Sequence, residues 1–230
     1  MARLGAPLVS PRAPFRGWPP AALTWFDGIE AHNSRDWFQA NRDVYDEAVR
    51  QPFLALLEEV ADEFGEGKMF RPHRDTRFSS DKRPYKTAAA ASIHRADGGG
   101  GYYLQLGRDG LFVGGGLYAP ARDQLARARA AIADDRSGPK LEAIVRRLAR
   151  SRVSLMQEGA LRTAPKGHPA DHRRIALLRL AHYAAMRSEP PRKWLHTREA
   201  KSRIVSTWRA LDPLLAWLAV HVGPSELSPR

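Results

Sequence analysis

A change of hydrophobic period near residue 66 limits what this chain can fold into. Up to that point apolar residues recur at helical spacing, first as Leu23, Phe26 and Ile29, then as Phe53, Leu56, Leu57, Val60 and Phe64. Beyond it the pattern alternates in short runs: 68–71, 76–79, 88–94, and the pair 102–106 and 111–113 joined by Arg108-Asp109-Gly110. The last pair is a hairpin signal, because a Gly-containing turn between two apolar runs suits antiparallel pairing. Helices followed by hairpin-linked strands predict an α+β fold, a single domain with an antiparallel sheet and helices packed mainly on one side.

The boundaries follow from turn and cap chemistry. Pro19-Pro20 starts a first helix, His32-Asn33-Ser34 ends it, Ser34 caps a second carrying Trp37, Phe38 and Tyr45, and Pro52 opens a third that stops at Gly65. Helical spacing returns over 121–133 and 139–149, a strand is predicted near 153–156, a helix ends at Leu180, and a strand covers 183–187. The closing helix, 197–222, should be interrupted at Pro213. Residues 1–14 read as an unstructured tail and 15–230 as one domain.

Charge points to anionic partners. The chain has 37 Lys+Arg against 25 Asp+Glu, a formal net charge of +12. The excess is uneven: residues 15–67 hold four arginines and eleven carboxylates, whereas 68–230 hold 31 basic and 14 acidic residues. With no cysteine, thiolate metal sites, disulfides and cysteine nucleophiles are excluded, which fits a cytoplasmic location. No secretory signal or membrane span is expected, because the most apolar run, 214–222, is less than half of what a bilayer requires.

The segment with chemistry in it is 71–86. Six basic and two acidic side chains are interleaved there with Phe78 and Tyr85. Arg71, Arg77, Lys82 and Lys86 can form an anion cradle, since arginine binds phosphate or carboxylate through two parallel hydrogen bonds and lysine acts as a point charge. The competing reading is a charged turn whose acids pair with neighbouring arginines. Gly114-Gly115-Gly116 can hold a phosphate through backbone N–H groups but matches no nucleotide-binding fingerprint, so a structural turn is favoured. His168, Asp171 and His172 have metal-ligating chemistry without a metal-site spacing, so neither metal nor cofactor is expected.

The block Arg74-Asp75-Thr76-Arg77-Phe78-Ser79-Ser80-Asp81-Lys82-Arg83-Pro84-Tyr85-Lys86 resembles the signature of the domain of unknown function 2461 family. Asn33-Ser34-Arg35-Asp36-Trp37-Phe38, the run Tyr102–Leu106, Gly114–Pro120, Pro165-Lys166-Gly167 with Asp171-His172, and Pro213–Leu218 resemble further landmarks of that family in order. The resemblance implies relatives without an established activity, and it carries over the basic block together with Asp171-His172. His168 and Arg173 depart from the family pattern, and His168 is given no role.

The leading expectation is an enzyme acting on a small phosphorylated or otherwise anionic substrate. Arg71, Arg74, Arg77, Lys82 and Lys86 would bind it, and Asp75, Asp81, Tyr85 and His172 would be the proton-transfer candidates, converging in one pocket. Ser79 or Ser80 would be the candidate nucleophile. The competing class is a nucleic-acid-binding module with weak affinity, in which Tyr85, Tyr102 or Tyr103 stacks on bases. A third is an interaction scaffold whose charges maintain solubility.

Overall fold

The computed structural model describes residues 13–77 and 81–227. Most of the tail expected over 1–14 lies outside the described residues, as do Phe78, Ser79 and Ser80.

Helix α1 (Pro20–Ala31) begins at the proline pair and buries Ala22, Trp25, Phe26 and Ile29. Ser34 caps α2 (Arg35–Ala40), its hydroxyl accepting from the Trp37 N–H at 3.2 Å. The short α3 (Arg42–Val44), a π-helical stretch (Tyr45–Arg50) and α4 (Gln51–Phe64) then follow one another directly. Pro52 therefore does not open a separate helix after a loop; it follows the π stretch, where the wider turn leaves its missing N–H unneeded.

Strands β1 (Gly67–Met69), β2 (Ala88–His94), β3 (Gly101–Gly107) and β4 (Gly110–Leu117) come next. They are followed by α5 (Arg122–Ala133), α6 (Gly138–Arg150), β5 (Ser154–Leu155), α7 (Ile175–Leu178), β6 (Tyr183–Glu189) and α8 (Glu199–His221). All strand pairs are antiparallel, in the order β1-β2-β3-β4-β6-β5. Tyr102, Leu104 and Leu106 of β3, with Ala89, Ala91 and Ile93 of β2 and Leu111 and Val113 of β4, form the buried face. Helix α8 crosses this face at β4 and α4 packs by β1. On the other face Ser92, Tyr103, Gln105, Phe112 and Met186 are half-buried and His94 is exposed, so the helices cover one side.

Besides Pro52, three expectations need correction in this part of the fold. Residues 114–116 lie inside β4 rather than in a turn. A Cβ at Gly114 would sit 2.8 Å from the Ala185 carbonyl oxygen, and Gly115 admits the Leu211 side chain of α8, a Cβ there lying 3.3 Å from it. The helix ending at Leu180 shrinks to the four residues of α7. Pro213 does not interrupt α8, which runs through it for 23 residues. A helix-interior proline costs about 3 kcal/mol, but Leu211, Leu214, Leu215 and Leu218 around it are fully buried at about 1.5–3 kcal/mol each. Tertiary burial wins.

Gly116 has φ +124°, and a Cβ there would lie 2.4 Å from the Tyr183 carbonyl oxygen of the paired strand. Gly116→Ala is therefore expected to destabilise the fold by about 1–3 kcal/mol from backbone strain, with the clash adding to it. Urea unfolding measures this, and an unchanged midpoint would refute the assignment.

Candidate anion-binding site

The segment 71–86 continues the β1–β2 ladder in a shifted register. Phe70 N–H donates to the Ala90 carbonyl at 2.8 Å, then Lys86 N–H to Pro72 at 2.8 Å and Arg74 N–H to Pro84 at 2.9 Å. One residue, Arg71, thus faces three, Thr87, Ala88 and Ala89, which is a bulge. Such an insertion bends the strand at the point where 72–86 leaves the sheet.

Asn33 pins this arm to the helices. Its Nδ2 donates to the Tyr85 carbonyl at 3.1 Å and its Oδ1 accepts from the Tyr85 N–H at 3.0 Å, so one side chain satisfies both backbone groups as a paired strand would. The Tyr85 ring is buried and stacks on Phe38 at 4.2 Å with 5° between planes. His73, bridged to Tyr85 through the backbone, is tilted against both rings, at 48° to Phe38 and 49° to Tyr85.

The acids of the arm bind its own cations. Asp81 takes Arg74 at 2.6 Å and Arg83 at 2.8 Å, and Arg83 reaches on to Glu30 of α1 at 3.0 Å. Asp75 holds Arg77 in a bidentate pair at 2.7 and 3.0 Å, and Lys82 Nζ donates to the Thr76 carbonyl at 3.0 Å. Hydrogen bonds from Arg83 keep the Asp81 carboxyl far below the usual carboxylate range, and Arg77 lowers that of Asp75. Both are acceptors locked as anions. The strand expected over 76–79 is not formed at Thr76 and Arg77, because the Asp75 carboxylate accepts from the Arg77 N–H and closes a turn; its remainder lies outside the described residues.

Between the arm and the helices lies an open cavity of about 540 Å³. The π-helical wall supplies Tyr45, Asp46 and Arg50, with Arg42 just before it; the strand wall supplies Lys68, Phe70, Arg71 and His73. Four cations thus face one carboxylate. Arg42 stands 3.6 Å from Asp46, whereas Arg50, Lys68 and Arg71 form no ion pair and no side-chain hydrogen bond among the described residues. Burial, helped by Asp46, pushes the Tyr45 phenol up to about 12, so it is a neutral donor at the wall.

Of the residues expected to bind or react, Arg71 alone lines the cavity; Tyr85 packs on its lining residues Phe38 and His73 and Lys86 on Phe70, whereas Arg74, Arg77, Lys82, Asp75 and Asp81 serve the internal ion pairs and turns of the arm. His172 does not join them. The arm leaves the sheet at the Ala88 end of β2, while the loop bearing His172 enters β6 at Tyr183, the opposite end and toward the opposite edge. His172 Nδ1 accepts from the Arg174 N–H at 3.0 Å, and Arg174 is buried against the α5 carbonyls of Ile132 and Ala133. His172 therefore shapes a turn there. Arg42, Arg50, Lys68 and His73 were missed by sequence reasoning. The spacing Arg42-Asp46-Arg50 puts three charges on one helical face and was a usable signal.

The lowered Asp81 carboxyl gives a pH signature. A carboxyl whose folded pKa lies below its unfolded value adds stability above the unfolded value and loses it as pH falls through the folded one. Asp81→Asn is therefore expected to unfold more easily than the parent at pH 7, with the gap closing as pH drops below about 4. Denaturant midpoints from pH 7 to 3 test this, and a gap that stays constant into acid would contradict it.

Comparison with curated proteins finds no match, and neither does comparison with solved structures. A family model described as "Conserved hypothetical protein (DUF2461)" matches residues 21–217. That span takes in both walls of the cavity and the arm between β1 and β2, and by it the chain belongs to the DUF2461 family.

Proposed function

We propose that the protein is an enzyme that acts on a small phosphorylated or otherwise anionic substrate held in the cavity between the π-helical wall and the β1 arm. The observation that carries this reading is the convergence of Arg50, Lys68 and Arg71, none in an ion pair among the described residues though Asp75 feels the Arg71 charge, on one cavity of a volume usual for small ligands. Cations that hold no bidentate or hydrogen-bonded acceptor of their own gain most from an anion that supplies one. His73 brings an imidazole, a common general acid–base group, to the same cavity, and the Tyr45 phenol is a fixed donor.

The nucleic-acid reading fits less well. Two of its three stacking candidates are buried: Tyr85 lies on Phe38, and the Tyr102 hydroxyl donates to Asp212. Tyr103, half-buried on the uncovered sheet face, is the remaining platform. Convergence on a cleft also favours a compact ligand over a polymer backbone.

Inorganic phosphate or a nucleotide is expected to raise the melting temperature at fixed ionic strength. Arg50→Ala and Arg71→Ala, both exposed, should abolish that rise while leaving the unliganded melting temperature close to the parent's. A rise that persists in both variants would defeat the assignment. DNA or RNA binding is expected to be weak and to vanish near physiological salt, since log K falls by about 0.7–0.9 for each contacted phosphate per decade of salt. Submicromolar nucleic-acid binding at that salt, lost in Tyr103→Ala, would favour the binding module instead.

A further inference from the structure

Lys86 is not itself a lining residue of the anion cavity but packs on one, Phe70, and forms no ion pair with a carboxylate among the described residues. Its backbone N–H is tied to the Pro72 carbonyl at 2.8 Å, and its Nζ lies 5.3 Å from the centre of the Phe70 ring. Phe70, Arg71 and Pro72 all line the cavity, and the bulge opposite Arg71 begins at the residue after Lys86. The ammonium group thus has a hydrocarbon face on one side and a guanidinium nearby. The ring attracts a cation, yet burial first and the Arg71 charge second hold the Lys86 pKa below the ordinary lysine value. A lysine desolvated beside another cation carries more free amine at neutral pH, and free amine is the nucleophilic form.

We propose that Lys86 is a nucleophilic amine that condenses with the carbonyl carbon of a phosphorylated aldehyde or ketone bound in the cavity, an assignment that rests on the anion-site reading above. The nitrogen lone pair forms the C–N bond, and the two amine protons leave, in net terms, with the carbonyl oxygen as water. The products are an imine and water, with no change of oxidation state. Arg50, Lys68 and Arg71 hold the phosphoryl group, and His73 on the same wall is of the type that moves a proton to the departing oxygen.

Pyridoxal phosphate followed by borohydride reduction and peptide mapping tests this on the full chain. One reduced adduct should predominate at Lys86 over the other lysines, inorganic phosphate should compete it away, and Lys86→Arg should lose it while keeping the phosphate-dependent rise in melting temperature. Pyridoxal, which lacks the phosphate, should label Lys86 less by about tenfold or more, the factor expected for losing one charge-assisted hydrogen bond. Adducts spread over exposed lysines, with phosphate stabilisation intact, would overturn the role of Lys86 and leave the anion site standing. Equal labelling of Lys86 by pyridoxal and its phosphate, with no stabilisation by phosphate, would overturn both the anion site and the phosphorylated substrate class.

Discussion

The carboxamide of Asn33, closed on both backbone groups of Tyr85, fixes the relation between the helical layer and the charged arm. The magnitudes support giving it that place. Each of its two hydrogen bonds contributes about 1 kcal/mol, and the Phe38–Tyr85 stack adds about 0.5–1.5 kcal/mol beyond burial. The ion pairs of the arm are partly or largely exposed, where such pairs contribute about 0–1 kcal/mol each. Ion pairing neutralises the arm, and the asparagine and the ring stack position it. Because Phe38 also lines the cavity, the same anchor sets the separation of the two cationic walls.

Much of this fold was legible from local chemistry. The Ser34 cap, the β3–β4 hairpin and the seven residues of β2 need only turn signals and alternation, and the structure has all three. The errors arose where burial outweighed a local rule. Pro213 stays helical because its neighbours are buried in the core, and residues 114–116 are extended because close approach of strand β6 and helix α8 requires glycine there. The π stretch 45–50 had no signal in the periodicity, since Tyr45, Ala48, Val49, Phe53 and Leu56 recur at the spacing of an ordinary α-helix.

The candidate site was legible in half. Its strand wall was visible as a basic block, but the block's own composition misled: two acids in the middle of it absorb Arg74, Arg77 and Arg83, so that Arg71 alone of the expected binders lines the cavity. The other wall comes from the part of the chain with the most acidic balance, where Arg42 and Arg50 are a minority. Net charge by segment concealed them, because a cavity samples side chains across the fold while a sum along the chain does not. His172 drew notice as a recurring neighbour of Asp171, and its contact with the Arg174 backbone gives that pair a local reason tied to a buried arginine.

The sheet ends in very short strands on both sides, three residues in β1 and two in β5. An edge strand exposes backbone donors and acceptors to any other chain that can add a strand, and the hazard grows with the length of that edge. Here β3 and β4 are paired along their whole length, whereas β1 covers only Ala91–Ile93 of β2 and β5 only Ala185 and Met186 of β6. The outermost strands themselves are thus too short to template a long added strand, and what remains of the outer edge lies on β2 and β6 beside them.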